Sequence, residues 1–261
     1  SLRLHPIADV VAGALFWPLE ATREIFHAWT RWSSQLPEAA TSIVRVLRFP
    51  DAPEVPPVFA GRAFTVVEVV MQTSLADADA LLTPLRTLAP EMDTIAVMAP
   101  RALFALHMDP PGPVRALGTS VLLNSLPDTV LDTVVDALVD GPGAMLTSVE
   151  LRQLGGALDR GRTSAVIESQ ALLYAVAVAP MPTDVVAPNG SAIVAANAGL
   201  DSLRAAVRSV RSTRDLSSFV EVATASAPAL FGPQLPQLRH AKNRWDPSNR
   251  IHANHSVLTG C

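Results

Sequence analysis

Ala63-Phe64-Thr65-Val66-Val67-Glu68-Val69-Val70-Met71-Gln72 decides how this chain folds. β-Branched and aromatic residues fit a pleated strand, and alternation puts successive side chains on opposite faces. Phe64, Val66, Glu68 and Val70 share one face, and Thr65, Val67, Val69 and Met71 the other. Upstream, residues 41–49 (TSIVRVLRF) read as a second strand, separated from the first by the Pro-rich loop 50–57. Each proline there removes a ladder donor. Further upstream, residues 10–16 form a continuous apolar run, the pattern of a buried strand. At Trp17-Pro18 the period changes. Leu19, Thr22, Phe26, Trp29 and Ser33 then fall on one stripe, beside Ile25 and Trp32, so 19–34 is an amphipathic helix.

Downstream of 63–72, Ser74-Leu75-Ala76-Asp77 is a capping box, and Ala78, Leu81, Leu82, Leu85 and Leu88 make an apolar stripe ended by Pro90. Short helices are expected over 100–107 and over 127–139, the latter stopped at Gly141-Pro142-Gly143. Strands are expected over 145–152, 171–179 and 217–222. A helix over 187–210, broken near Pro188-Asn189-Gly190, and a final helix over 234–245 complete the pattern. No regular βαβ rhythm and no glycine-rich strand-to-helix turn occurs. The fold class is therefore α+β: a mostly antiparallel sheet covered on one face by helices, with a C-terminal helix and extended tail.

The 261 residues carry 20 Lys+Arg against 24 Asp+Glu, a net charge of -4 that argues against a nucleic-acid partner. Cys261 is the sole cysteine, so an intrachain disulfide and a cysteine metal cluster are excluded. Mean hydropathy is +0.29. Yet the longest apolar stretches, 10–19 and 171–181, fall short of the ~20 residues a membrane span needs, so no membrane partner is expected. Ser1-Leu2-Arg3-Leu4-His5-Pro6 has neither the apolar region nor the cleavage site of a signal peptide. A cytoplasmic location is expected, with an upstream targeting signal left open.

Sequence motifs that carry chemistry are sparse. There is no G-x-G-x-x-G, P-loop, H-E-x-x-H or G-x-S-x-G. Gly155-Gly156 with Gly161 has the wrong spacing for a phosphate cradle and reads as a strand-end turn. His252-Ala253-Asn254-His255 places two imidazoles near Cys261 without a carboxylate to complete a metal site, so no metal is assigned. Glu68, alone among apolar neighbours, reads as a catalytic base with a raised pKa, or as a charge that points into a cavity rim or pairs with an arginine. His107, at a helix end, reads as a capping or packing residue or as a substrate contact.

The C-terminal segment is more specific. Phe231-Gly232, then Leu238, Arg239, Lys242, Trp245-Asp246-Pro247, Asn249 and Asn254 resemble the terminal motif of berberine-bridge-enzyme-like FAD-linked oxidases, of the vanillyl-alcohol-oxidase and p-cresol-methylhydroxylase type. Ala12-Gly13-Ala14-Leu15-Phe16-Trp17-Pro18, Pro90-Glu91-Met92-Asp93-Thr94, His107-Met108-Asp109-Pro110 and Glu150-Leu151-Arg152-Gln153-Leu154-Gly155-Gly156-Ala157 are similar to bacterial members. The resemblance implies a substrate-binding domain over 1–222 and a terminal motif over 223–261 that packs on an N-terminal FAD-binding domain. It also implies that this FAD domain precedes Ser1 and is absent from the chain.

By the same resemblance, the function is the substrate-binding and C-terminal portion of an FAD-dependent oxidoreductase, oxidising a small organic substrate by hydride transfer to flavin. The chain alone is not expected to hold FAD or to be active. Many members place a Tyr-x-Asn motif near the flavin. The matching positions are Phe219-Val220-Glu221, where Phe219 cannot accept a proton and Glu221 can. Candidate catalytic residues are thus Glu221, Tyr174 and Glu68. Phe219, Asn254 and His255 are candidates for the cofactor side, and Arg152, Gln153 and His107 for the substrate. The alternative is a flavin-free ligand-binding or interaction module. A domain built to cover a flavin leaves an apolar face when alone, through which self-association is expected.

Overall fold

A computed structural model describes residues 6–109, 112, 114–155, 169–179, 190–221 and 226–258. In chain order the elements are β1 (Val10–Pro18), α1 (Thr22–Ser33), β2 (Ala40–Arg48), β3 (Ala63–Met71), α2 (Leu75–Arg86), β4 (Met92–Asp93), β5 (Ala96–Met98) and β6 (Arg115–Leu123). Then follow α3 (Asp128–Val139), β7 (Ser148–Gln153), β8 (Ala171–Ala179), α4 (Gly190–Ala206), α5 (Ala227–Phe231) and α6 (Leu235–Trp245). Among the described residues the strands make one sheet in the order β4-β1-β3-β2-β7-β8-β6, with β5 also on β1. Every pairing is antiparallel. This is the α+β sheet the alternating pattern predicts.

The two faces are built differently. Val67, Val69, Met71, Val44, Val46, Val149, Leu151, Leu173 and Ala175 point to the side covered by α1, α2, α3 and α4, and all are buried with Phe26, Leu82, Leu131 and Leu203. Fully burying an aliphatic side chain stabilises by roughly 1.5–3 kcal/mol, so this layer dominates stability. The indole N–H groups inside it are each matched. Trp17 Nε1 donates to the Leu88 carbonyl at 2.8 Å, Trp32 Nε1 to Leu81 at 2.7 Å, and Trp29 Nε1 to the Ser42 hydroxyl at 2.9 Å. The Ser42 hydroxyl in turn donates to the Glu68 carbonyl at 2.8 Å. On the opposite face, Ala14, Phe16, Leu47, Phe64 and Val66 form a smaller cluster with Phe49 and Phe59. The Phe49 and Phe59 rings stack with centroids 4.7 Å apart.

Gly13 in β1 has φ 154°, and a Cβ there would lie 2.5 Å from Ile95 Cα and 2.6 Å from the Thr94 carbonyl oxygen. Only glycine lets the β4–β5 link run this close to the sheet.

Several expected boundaries shift, each for a local reason. The helix expected over 19–34 opens as a 3-10 turn at Leu19–Ala21 before α1. Ser74 caps α2 as predicted, its hydroxyl accepting from the Asp77 amide at 3.2 Å. The helix ends before Pro90, because Ala89 already sits at φ 49°. The 100–107 helix is a 3-10 turn over Pro100–Ala105. The strand expected from 145 begins at Ser148, since Pro142–Met145 coil as 3-10. The helix expected to reach 210 is α4, followed by a separate 3-10 turn at Arg208–Val210.

The strand expected over 217–222 is absent among its described residues. Ser217–Phe219 close a 3-10 turn, with the Phe219 amide donating to Leu216 at 2.8 Å. Strands β4, β5 and β6 escaped the sequence reading. Gly156, Gly161, residues 187–189, Val222 and Cys261 lie outside the described residues.

Candidate functional site

Antiparallel register assembles a chequered set of charges on the face away from the helices. One row across the sheet runs Val66, Arg45, Glu150, Tyr174, Ser120, and the next runs Glu68, Ile43, Arg152, Leu172, Leu122. Each charged residue occupies an alternate position in an otherwise apolar strand, so sheet geometry alone brings the four charges together.

The interactions are specific. Arg45 Nη2 lies 2.5 Å from Glu68 Oε1, and their side chains are only 3% and 4% exposed. His107 arrives from the far side, after the 3-10 turn at 100–105. Its Nδ1 is 2.8 Å from Glu68 Oε2, and its Nε2 is 3.4 Å from Glu150 Oε2. Arg45 Nη2 also donates to the His107 carbonyl at 2.9 Å, fixing that turn over the sheet. Arg152 binds Glu150 Oε1 through both Nε and Nη2, at 2.7 and 2.6 Å. Burial pulls the Arg45 guanidinium below its ordinary value, against the opposing pull of Glu68 and Glu150. Arg45 is held directly by Glu68 and by the His107 carbonyl, with Glu150 attracting it from the neighbouring strand.

Beside this network sits a second group. The Tyr174 hydroxyl donates to Glu221 Oε1 at 2.9 Å. Its ring meets Phe219 edge-on at 5.5 Å, and the Arg152 guanidinium lies 5.0 Å from the Phe219 centroid. Burial first, and the Glu221 carboxylate second, push the Tyr174 phenol up to about 12. Gly118 makes room for Glu221, since a Cβ there would lie 2.8 Å from Oε1. The Ser120 hydroxyl donates to the Phe219 carbonyl at 2.7 Å, and His255 Nε2 is 2.8 Å from the Val220 carbonyl. His255 Nδ1 is buried without a partner among the described residues.

A cavity of about 470 Å³ borders the two groups, lined by Ile43, Glu68, Leu106, Arg152, Leu172 and Phe219 among others. Small-molecule sites commonly measure ~300–1,000 Å³. A second cavity of about 470 Å³ lies at the end of the sheet near Trp29, Ser33, Asn124, Gln153 and Gln170.

The structure thus gathers Glu68, His107, Arg152, Tyr174, Phe219, Glu221 and His255 in one region. Glu68 is paired with Arg45 and also lines the cavity. Gln153 alternates to the helix side, where its Nε2 donates to the Ser33 carbonyl at 3.0 Å. Asn254 is exposed and makes no hydrogen bond among the described residues. Arg45 and Glu150 were missed by sequence reasoning. Their signal was the one that marked Glu68: a charge at a period-two position inside an apolar strand. Among the described residues, no group of three or more His, Cys, Asp or Glu is placed to hold a metal ion. No helix among them is long and apolar enough to cross a membrane.

An antiparallel sheet with helices on one side and a polar network beneath a cavity on the other defines the architecture. Solved structures share it. BBE-like 1 from Physcomitrella patens superposes with a TM-score of 0.73 at 15% identity, covering 97% of this chain and 55% of that one. A variant of berberine bridge enzyme gives 0.74 at 11% identity, over 97% and 56%. BBE-like 28 from Arabidopsis thaliana gives 0.68 at 11%, over 96% and 56%. One berberine bridge enzyme structure in this group is a complex with (S)-reticuline. The chain therefore has the fold of part of berberine bridge enzyme and BBE-like proteins, and spans about half the length of the solved chains it matches. No protein-family model and no curated protein matches it by sequence.

Proposed function

We propose that this chain supplies the substrate-facing part of an FAD-dependent oxidoreductase that acts on a small organic molecule. The observation that carries the proposal is the cavity lined by Glu68 and Arg152 of the charged network, on a sheet that shares its fold with berberine bridge enzyme. The residues fit a one-sided cover for the cofactor. Leu172, Leu216 and Phe219 give the cavity apolar walls suited to a flat ring, and His255, whose Nε2 meets the Val220 carbonyl next to Phe219, has a buried Nδ1 without a partner among the described residues. Phe219, His255 and the exposed Asn254 would face it.

No glycine-rich loop gathering backbone amides for a diphosphate occurs among the described residues, so FAD itself would be held by a second, FAD-binding domain of the same polypeptide. Tight FAD binding by this chain alone is not expected. When bound, the flavin supplies the hydride acceptor.

The side chains of this chain then position substrate and manage its proton. Arg45 pairs with Glu68 and Arg152 with Glu150, and His107 sits between the two carboxylates. Tyr174, protonated up to about 12, acts as a donor that aims the Glu221 carboxylate. Glu221 is the acceptor for the proton a substrate hydroxyl or carbon acid gives up. Self-association through exposed apolar residues such as Phe104 and Trp245 belongs to the same proposal.

The test is the absorbance spectrum of the native protein purified from its source, followed by turnover with a Glu221→Gln variant. A flavin band and a strong loss of turnover are expected. A native preparation without flavin overturns the enzyme reading in favour of a flavin-free ligand-binding module.

A further inference from the structure

Strand β6 ends the sheet on one side, and its outer edge is only half used. The Ser212 amide donates to the Leu122 carbonyl at 2.8 Å, and the Asn124 amide to the Val210 carbonyl at 2.9 Å. The Leu123 carbonyl instead accepts from the Gln170 amide at 2.8 Å, on the β8 side. Main-chain groups of an antiparallel strand turn to opposite edges at successive residues. Even-numbered residues of β6 therefore point outward. The amides and carbonyls of Ala116, Gly118 and Ser120 face that edge with no hydrogen-bond partner among the described residues. The usual protection of an edge is missing here. Residues 116–123 include no charge and no proline, and each pairs one-to-one with β8 without a bulge. Leu117 shares a face with Thr119, which bonds Arg204 of α4, and it is 38% exposed.

We propose that the β6 edge pairs with the β6 edge of a second copy of this chain, antiparallel, about a two-fold axis at Leu117. A two-fold contact requires a surface complementary to itself, and the side chains select one register. Centred on Gly118, the pairing would bring together the two Glu221 carboxylates, each of which lies over Gly118. Centred on Ala116, it leaves Ser120 unpaired. Centred farther along, it competes with Ser212 for the Leu122 carbonyl. Centred on Leu117, it joins Ala116 of each copy to Gly118 of the other and sets Leu117 against its own copy. Arg115 then falls opposite Thr119, and no like charges meet across the axis. This match between side chains is what favours a second copy over an unrelated strand. Each Ala116 methyl comes to lie beside the other copy's Glu221, so the pairing also walls one flank of the candidate site. The proposal stands apart from the oxidoreductase reading and from the contacts at Phe104 and Trp245.

The test is sedimentation velocity on the whole 261-residue chain across a concentration series. So small an interface should give a monomer–dimer equilibrium with a dissociation constant on the order of 10–100 µM. Leu117→Lys sets two like charges face to face and should weaken the dimer by about fivefold to tenfold. An equimolar mixture of Leu117→Lys and Leu117→Glu chains should recover the lost affinity, because only pairing of position 117 with itself joins the opposite charges. Hydrogen exchange on wild type gives a second reading that needs no variant to fold: amides of Ala116, Gly118 and Ser120 should slow as concentration rises. A chain monomeric up to about 1 mM overturns the proposal. So does a dimer that Leu117→Lys leaves intact, a mixture no tighter than Leu117→Lys alone, or exchange at these three amides that ignores concentration. None of these readings involves flavin, so an absent flavin band would sink the oxidoreductase reading and leave this one to be decided separately.

Discussion

The two faces of the sheet solve the same burial problem by opposite means. The helix side uses aliphatic packing, where Leu131, Val134 and Leu138 of α3 are buried and each contact is non-directional. The other side buries Arg45, Glu68 and Glu150 at 2%, 3% and 1% exposure, where each charge depends on a named partner. The first face should fail gradually and the second abruptly. A hydrocarbon deletion leaves a cavity that neighbours partly fill, whereas a deleted partner leaves a bare charge.

Glu68→Leu breaks this comparison most sharply. It should cost about 3–5 kcal/mol in urea unfolding, because Arg45 keeps its burial and loses its closest counter-ion. The double variant Arg45→Met with Glu68→Leu should recover most of that loss. If the single variant is as stable as wild type, the abrupt-failure picture is wrong. Leu131→Ala, in the middle of the helix layer, should cost about 2–5 kcal/mol, with no second-site charge change able to restore it. Smaller still is Trp32→Phe, which removes the 2.7 Å bond to the Leu81 carbonyl and should cost about 1–3 kcal/mol.

Two titrations sharpen the comparison without large stability effects. Tyr174 is the chain's single tyrosine, so phenolate absorbance reads it alone. Its ionisation should centre near about 12 and move down in Glu221→Gln, where the carboxylate no longer opposes phenolate formation. Because the folded value is raised, its contribution to stability is complete below the ordinary tyrosine value and fades as pH climbs toward about 12. An unchanged titration in the variant would detach Glu221 from Tyr174.

At the tail the sign reverses. Lys242 at 2.5 Å, then the amides of Ile251 and Arg250, hold the Asp246 carboxyl down to about 2. Its contribution is present above the ordinary aspartate value and is lost as pH falls toward about 2. Asp246→Asn should speed hydrogen exchange at Arg250 and Ile251 while leaving the unfolding midpoint nearly unchanged.

The fold was largely legible because period-two and period-3.6 patterns report burial directly. Strands β1, β2, β3 and β8 follow from runs of Val, Leu, Ala and Phe, and α2 from Ser74 and its stripe. Strand β6 was not legible. Its exposed first half, Arg115–Gly118, lacks an apolar face, and its strand character comes from pairing with β8. The error at 217–222 has the reverse cause. Its residues alternate, but among the described ones side-chain bonds from Ser120 and His255 hold the carbonyls of Phe219 and Val220, and no strand pairs with them.

For the site, Glu68, His107, Arg152, Tyr174 and Glu221 were individually visible as polar residues in apolar settings. Their adjacency was not, because it is written in cross-strand register, which one sequence does not display.

That register has a bearing on how the chain finds its fold. Sliding β2 by two residues along β7 keeps every apolar side chain on its proper face, so hydrophobic patterning tolerates the slip. Arg45, now opposite Glu150, would then face either Arg152 or Ser148. In the first case two guanidinium groups meet, and in the second Glu150 is left against Ile43. The alternating charges thus act as a key for strand alignment, rejecting mispaired sheets that greasy side chains alone would accept.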